Sequence, residues 1–293
     1  MRPYSHLQRR KLPAHPDSMT TSFQKLRLAA CHLLGRPIAW PWHFTFGPEN
    51  PAFTCGHEVV AAKSRELAAN PKPLPRPVIV FSGYRVPGIF GGQLASNLAR
   101  LTTGSTDNFR MFAYPFDGDI EPLVNRLAGI IGNEFGLDGS SDSTVPVDVI
   151  GISMGGIVGR LAAARARSRP KGVPRVEVRR LFTIGTPHRG ARLALKIHVD
   201  RAATDMQPES SFLANLNELA KSDDYELIPY ATLNDITVGA SNCSPPGTDP
   251  IWVQGTRLFA HTTITMHPAL MLDIALRLRG ESPLSAPSPI PAH

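Results

Sequence analysis

The stretch VDVIGISMGG, residues 147–156, places a serine between an apolar run and a pair of glycines. VDVI is typical of a buried strand, and the segment after Ser153 carries apolar residues at helical spacing. A serine between a strand and a helix, with small neighbours, occupies a sharp turn that exposes its hydroxyl above the sheet. The pattern predicts Ser153 as a nucleophile. It also predicts the backbone N–H of Met154, at the helix start, as a donor to a developing oxyanion.

The chain around this stretch alternates between short apolar runs and amphipathic segments. The predicted strands are 77–83, 109–116, 146–153, 178–186, 227–235 and 261–266, and the predicted helices are 88–101, 120–136, 154–167, 211–219 and 268–278. Alternating units with wholly apolar strands indicate an α/β fold, in which a mostly parallel central sheet carries helices on both faces. Ligands then bind beyond the carboxyl ends of the strands.

Proline-rich composition marks both ends of this alternating region. Residues 1–74 are predicted to be an N-terminal extension and linker that contains a helix near 56–69, and residues 75–279 a catalytic domain. Within that domain, segment 191–229 exceeds a simple crossover, which leaves a lid, a pocket wall and a plain crossover helix with loops as equal alternatives. The small, polar and Pro-rich residues 280–293 predict a disordered tail.

The formal net charge of +7 is spread unevenly. Residues 1–36 hold seven Lys/Arg and one Asp, and residues 160–180 hold eight Lys/Arg and one Glu. A basic surface exposed to solvent explains both basic segments. The alternative, which is more specific, is peripheral contact of the N-terminal segment with anionic lipid. No nucleic-acid-binding module accompanies the charge, so no nucleic-acid partner is predicted.

The three cysteines, Cys31, Cys55 and Cys243, have no paired spacing. This argues against a disulfide scaffold and a zinc cluster, and we predict no metal. The sequence has no run of 18 apolar residues and no clear signal peptide, so neither a membrane span nor secretion is predicted. A cytoplasmic location is favoured, and the oligomeric state is left open.

Two motifs together resemble the α/β-hydrolase family, and its lipase and esterase branch in particular. The first is Gly151-Ile152-Ser153-Met154-Gly155, a G-x-S-x-G pattern in the expected strand–helix context. The second is LFTIGTPHRGA, residues 181–191, which looks like the G-T-P-H-x-G segment of lipase-like members. The resemblance spans about 76–278 and implies cleavage of esters, thioesters or amides without a cofactor.

The resemblance also implies the chain order Ser, then Asp or Glu, then His. Asp235 is the first candidate acid, because it ends the apolar run LIPYATLND and is followed shortly by Val238. Asp249 is the alternative acid, in a Pro/Gly-rich stretch that also fits a surface turn.

The base should follow the last strand and precede the last helix. The alternation TTIT predicts a strand, and Pro268 begins a helical pattern, so His267 lies between them and is the predicted base. His261, at the start of the predicted strand, is interpreted as structural. His188, in the G-T-P-H segment, precedes the acid and is interpreted as shaping its loop.

A second oxyanion donor is implied after the first strand, in FSGYRVPG at residues 81–88. Family lipases often carry His-Gly at this turn, whereas this chain has Ser82-Gly83, which makes Tyr84 the matching backbone donor. The resulting expectation is a serine hydrolase that acts on a small-molecule or lipid ester. An acyltransferase, thioesterase or amidase with the same triad is the first alternative, and a non-catalytic hydrolase-like binding protein is the second.

Overall fold

The computed structural model describes residues 53, 55–86, 88–139, 142–196, 199–254 and 259–290. The basic segment 1–36, for which contact with anionic lipid is an expectation, lies outside the described residues. Within the described part, the strands are β1 (Val78–Phe81), β2 (Phe109–Phe112), β3 (Val147–Ile152), β4 (Val178–Ile184), β5 (Glu226–Thr232) and β6 (Ile251–Val253). They form one sheet in the order β2-β1-β3-β4-β5-β6, and every neighbouring pair is parallel.

Helices connect the strands. In the described residues they are α1 (His57–Ala69), α2 (Ile89–Leu101), α3 (Ile120–Phe135), α4 (Met154–Ala163), α5 (Arg201–Asp205), α6 (Ser211–Leu219), α7 (Ala260–Thr263) and α8 (Pro268–Leu278). One 3₁₀ turn, Leu193–Leu195, lies in segment 191–229, and another, Ile264–Met266, follows α7 directly. The prediction of an α/β fold with a mostly parallel sheet and helices on both faces is confirmed.

Two hydrophobic cores, one on each face, hold this sheet. Strand β1 shows the division, because all four of its residues are buried and successive side chains point to opposite faces. Ile79 and Phe81 enter the core that α3 and α4 cover, whereas Val78 and Val80 enter the core with α2 and α8. Burial on both faces explains why the strands are apolar runs and do not alternate with polar residues.

Local sequence signals set several helix starts. The Asp119 side chain accepts a hydrogen bond from the N–H of Glu121 at the start of α3, and Ser210 accepts one from Leu213 at the start of α6. Pro268 occupies the first turn of α8, where its missing N–H costs nothing. These caps explain why the three predicted helices lie within one or two residues of their observed bounds.

The last strand lies elsewhere than predicted. The strand expected at 261–266 is instead helix α7 followed by the 3₁₀ turn Ile264–Met266, and the last strand is β6. Four alternating residues are too few to separate a strand from a helical turn. The β6 sequence, IWV, was overlooked because it has only three residues, although Trp252 is completely buried.

Both predicted flanking segments pack against the domain where the structure describes them. The helix expected near 56–69 is α1, and its Val60 and Leu67 are buried in the core shared with α2 and α8. Residues 280–290, predicted to be a disordered tail, make specific hydrogen bonds to the domain. There, the amide of Ser285 donates to the buried carboxylate of Asp273, and Trp252 Nε1 donates to the carbonyl of Ser288. Proline-rich composition did not reveal these specific acceptors and donors.

Candidate active site

Ser153 lies at the sharp turn between β3 and α4. Its φ of 52° and ψ of −122° are a sparsely populated conformation for a residue other than glycine. Such strain costs on the order of 1–3 kcal/mol and persists where the surroundings impose it. Here the Ser153 N–H donates to the carbonyl of Ile184 on β4, and Thr186 Oγ1 donates to the Ser153 carbonyl. These bonds fix the turn from the neighbouring strand.

The glycine after the turn allows α4 to approach the sheet. A Cβ on Gly155 would lie 2.3 Å from the carbonyl oxygen of Phe81, a backbone atom of β1 that cannot move aside. The helix can therefore start directly above the sheet only with glycine at this position. Its first N–H groups have no partner within the helix, and they lie next to Ser153.

His261 connects the serine to an acid. Its Nε2 lies 3.0 Å from Ser153 Oγ, and its Nδ1 lies 2.8 Å from Asp235 Oδ2. An ionised carboxylate can only accept a hydrogen bond, so Nδ1 of His261 carries the hydrogen that it donates to Asp235. In the neutral ring Nε2 then has no hydrogen, and its lone pair faces the hydroxyl of Ser153. Gly185 allows this arrangement, since a Cβ there would lie 3.2 Å from His261 Nδ1.

Asp235 is held as a buried carboxylate. Its Oδ1 accepts hydrogen bonds from the backbone N–H groups of Thr237 and Val238, at 2.9 and 2.8 Å. Burial alone would raise the pKa of Asp235, but the hydrogen bond and charge of His261, together with the two amides, hold that pKa below its ordinary value. The carboxylate is therefore ionised at neutral pH and oriented toward the imidazole.

The structure brings together two of the three side chains predicted for the triad. Ser153 and Asp235 both contact the same imidazole, whereas Asp249, the alternative acid, is exposed in the loop before β6. The predicted base, His267, is not the histidine at Ser153, and His261, interpreted from sequence as structural, occupies that position. His267 instead lies buried at the start of α8 beside Phe53, with ring centroids 6.1 Å apart.

The exchange of histidines has a simple origin. The histidine in contact with Ser153 does follow the last strand, but that strand is β6 and not the predicted strand at 261–266. Once β6 ends at Val253, His261 is the first histidine after the sheet, and α7 turns its side chain toward the carboxyl ends of the strands. An apolar triplet between Pro250 and Gln254 was the signal that could have shown this.

His188, from the G-T-P-H segment, is buried and makes side-chain contacts away from Ser153. Its Nε2 lies 2.9 Å from Thr183 Oγ1, and its Nδ1 lies 3.3 Å from a guanidinium nitrogen of Arg160. Since Arg160 can only donate, Nδ1 accepts and Nε2–H donates to Thr183. Burial, with the charges of Arg160 and Arg189, holds the pKa of His188 well below its ordinary value. These contacts join β4 to α4.

The turn after β1 lies directly against the serine. A Cβ on Gly83 would be 3.4 Å from the Cβ of Ser153, and both Gly83 and Tyr84 line the cavity above it. Met154 follows Ser153 directly in the chain and is the first residue of α4. Backbone groups of both predicted oxyanion donors are thus carried by segments that border the serine.

A cavity of about 250 Å³ opens at Ser153 and His261. Its lining residues are Ser82, Gly83, Tyr84, Val86, Phe90, Ile152, Ser153, Pro187, Ala191, Leu193, Ala194, Ala203, Met206, Thr237, Val238, His261, Thr262 and Thr265. No Asp, Glu, Lys or Arg is among these described lining residues. Five of them, from Ala191 to Met206, belong to segment 191–229, for which a lid or a pocket wall was among the predicted alternatives.

The described residues hold neither a cluster of metal-ligating side chains nor a membrane-spanning helix. None of their His, Cys, Asp and Glu side chains forms a group of three or more that could hold a metal ion. No helix in the described part of the chain has the length and apolar character required to cross a bilayer.

Comparison with solved structures finds lipases and related proteins. The mature lipase BlEst2 of Bacillus licheniformis aligns with a TM-score of 0.49 and 16% identity, over 74% of this chain and 95% of its own. A lipase-esterase related protein from Clostridium acetobutylicum gives 0.44 and 10%, over 72% and 96%. Phospholipase PlaB from Legionella pneumophila gives 0.42 and 15%, over 54% and 39%. No protein-family model and no curated protein matches the sequence. With identities this low, function must be derived from the site itself.

Proposed function

We propose that this protein is a serine hydrolase of the α/β-hydrolase type that cleaves carboxylic esters through an acyl-enzyme on Ser153. The observation that carries the proposal is the chain of contacts from Asp235 through His261 to Ser153, at the base of an apolar cavity. Side chains of these types in this relation activate a hydroxyl that would otherwise be a weak nucleophile.

In the proposed reaction, His261 Nε2 takes the proton of Ser153 as Oγ attacks the ester carbonyl. Asp235 accepts from Nδ1–H throughout and stabilises the imidazolium without taking the proton. The former carbonyl oxygen becomes negative, and the amides of Met154 and Tyr84 are the proposed donors to it. Collapse expels the alcohol, which receives the proton from His261. Water, deprotonated by His261, then attacks the acyl-enzyme and releases the acid.

The lining supports an uncharged, apolar acyl group as the substrate part that enters the cavity. Aliphatic and aromatic side chains such as Phe90, Leu193 and Met206 form most of the wall, and burial of each methylene contributes about 0.8 kcal/mol. The cavity volume of about 250 Å³ lies just below the range of about 300–1,000 Å³ that small-molecule pockets span. We therefore propose esters with short to medium acyl chains, and residues 191–194 and 203–206 as one wall of the acyl site.

The test is hydrolysis of 4-nitrophenyl esters, in a series from acetate to hexadecanoate, by wild type and Ser153→Ala. Wild type should turn over the series with a maximum at short to medium chains, whereas Ser153→Ala should lose at least three orders of magnitude in kcat. Ser222→Ala removes an exposed hydroxyl that only bonds the Leu219 carbonyl and is the matched control. Equal rates for wild type and Ser153→Ala would refute the proposed nucleophile.

A fluorophosphonate probe provides a second measurement that needs no knowledge of the leaving group. Wild type should be labelled on Ser153, since the probe reacts with an activated serine. Labelling should disappear in Ser153→Ala and persist in Ser222→Ala. Folded wild type that stays unlabelled would contradict an activated nucleophile.

A further inference from the structure

One carboxylate from the inserted segment holds the turn that borders the serine. Asp200 Oδ2 accepts hydrogen bonds from Tyr84 Oη, at 2.7 Å, and from an Arg85 guanidinium nitrogen, at 2.8 Å. The Arg85 Nε also donates to Tyr84 Oη at 3.0 Å. Two consecutive residues after β1 are thus bound to a single group 115 positions away in the sequence. We call this cluster of Tyr84, Arg85 and Asp200 the clasp.

The turn that the clasp holds is strained. Arg85 has a φ of 52°, in the left-handed region that a residue with a long side chain seldom adopts. Such a conformation persists only where the surroundings over-determine it. The side chains on both sides of the Tyr84–Arg85 peptide bond end on Asp200, so the carboxylate opposes relaxation of this backbone. The backbone of the turn includes the Tyr84 N–H.

Asp200 is itself fixed. Its Oδ1 caps α5 by accepting from the N–H of Ala203 at 2.9 Å, and the preceding amide, that of Ala202, donates to the carbonyl of Gly118. Burial alone would raise the pKa of Asp200, but the Ala203 amide and the side chains of Arg85 and Tyr84 hold that pKa below its ordinary value. The group is therefore an ionised acceptor across the neutral pH range.

We propose that Asp200 is a positioning residue for the reaction. By holding the strained turn at Arg85, it keeps the Tyr84 amide directed at the developing oxyanion. It also joins the two walls of the acyl cavity, residues 83–86 on one side and residues 191–194 and 203–206 on the other. This inference rests on the proposed function, since a second oxyanion donor matters only if an oxyanion forms.

The first test compares Asp200→Asn with wild type. Asparagine keeps the shape and the helix cap but removes the charge that binds Arg85, so the fold should persist. Since the affected donor acts only in the transition state, kcat should fall about tenfold or more while KM changes little. Asp224→Asn breaks another arginine–aspartate pair, with Arg165 on the surface, and should leave both constants unchanged.

Tyr84→Phe gives an independent test, because it keeps the ring and removes only the hydroxyl. Its effect on kcat should be smaller than that of Asp200→Asn. In the variant that carries both substitutions, the fold-loss in kcat should be less than the product of the fold-losses of the two single variants. Fully multiplicative effects, or a change in KM alone with kcat retained, would overturn the positioning role.

Hydrogen exchange supplies a readout that does not depend on activity. In Asp200→Asn the amides of residues 83–86 should exchange at least tenfold faster, whereas those of β1 stay protected. Unchanged exchange in the turn would overturn the clasp even in an active enzyme. If wild type hydrolysed no ester while exchange in the turn were still faster in Asp200→Asn, the proposed function and the positioning role would both be refuted. The clasp itself would remain supported.

Discussion

The Nδ1 of His261 lies 2.8 Å from Oδ2 of Asp235, a carboxylate whose side chain is completely buried while the imidazole is 17% exposed. This pairing holds the Nδ1 edge of the imidazole inside the protein and leaves Nε2 at the cavity, 3.0 Å from Ser153 Oγ. A buried charge requires partners, and Asp235 obtains them from His261 and from two backbone amides. Asp235 therefore orients the imidazole of His261.

The first prediction separates the two histidines. His261→Ala should lower kcat by at least three orders of magnitude, because Ser153 then has no base in contact with it. His267→Leu should retain wild-type kcat within a few fold, since that ring packs beside Phe53 and not against the serine. Hydrolysis of 4-nitrophenyl butyrate measures both. An inactive but folded His267→Leu together with an active His261→Ala would restore the sequence-based assignment.

A second prediction concerns the acid. Asp235→Asn should reduce kcat by up to about four orders of magnitude, because the amide favours the wrong tautomer of His261. Asp249→Asn, which changes the exposed alternative, should leave kcat unchanged and is the matched control. Steady-state kinetics at saturating ester decides between them, and a large loss in the Asp249 variant would contradict the structure.

The same acid should affect stability as a function of pH. Because the pKa of Asp235 is lower in the folded protein, its stabilising contribution is complete above the ordinary aspartate pKa and is lost as pH falls through the folded value. Wild type should therefore lose more unfolding free energy below about pH 4 than Asp235→Asn does. Urea unfolding of both proteins across the acid range measures this difference.

How far sequence alone succeeded depends on the length of the pattern. The sharp turn at Ser153 was predictable because an apolar strand, small residues and an amphipathic helix all specify the same turn. The position of Asp235 near the serine was predictable because β5 is seven residues long and ends just before it. The histidine was misassigned because TTIT and IWV are too short to carry a period, so tertiary packing decided which was the strand. The clasp at Asp200 joins distant segments and left no local signal.

The close approach of α4 to β1 yields a prediction on stability. Gly155→Ala should destabilise the fold by several kcal/mol or prevent folding, because the new Cβ would lie 2.3 Å from a carbonyl oxygen of β1. Gly129→Ala, on α3, places its Cβ in open space and should stabilise by about 0.5–1 kcal/mol through helix propensity. Thermal unfolding of the pair measures both signs, and equal midpoints would refute the steric account.

The cavity wall that includes Ala203 gives a prediction on the length of the acyl chain that the enzyme accepts. Ala203 is buried and lines the cavity, so Ala203→Phe should fill part of the acyl site. The ratio of kcat/KM for octanoate to that for acetate should fall at least tenfold, since the longer chain loses the space that it occupied. Acetate hydrolysis is the internal control for an intact triad. An unchanged ratio would place the acyl chain elsewhere.

Burial of His267 yields a prediction on acid stability. Burial lowers its pKa from 6.5 to about 4, so the unfolded chain binds a proton between these values that the folded protein does not. Stability is therefore complete above about pH 6.5 and decreases as pH falls toward about 4, by about 2 kcal/mol at pH 5. His267→Leu should lack this share of the decrease, whereas His57→Leu, which removes an exposed histidine, should retain it. Urea unfolding at about pH 5 and about pH 7.5 gives the two differences. If wild type and His267→Leu lost the same free energy between these conditions, His267 would not be the buried neutral group that the structure describes.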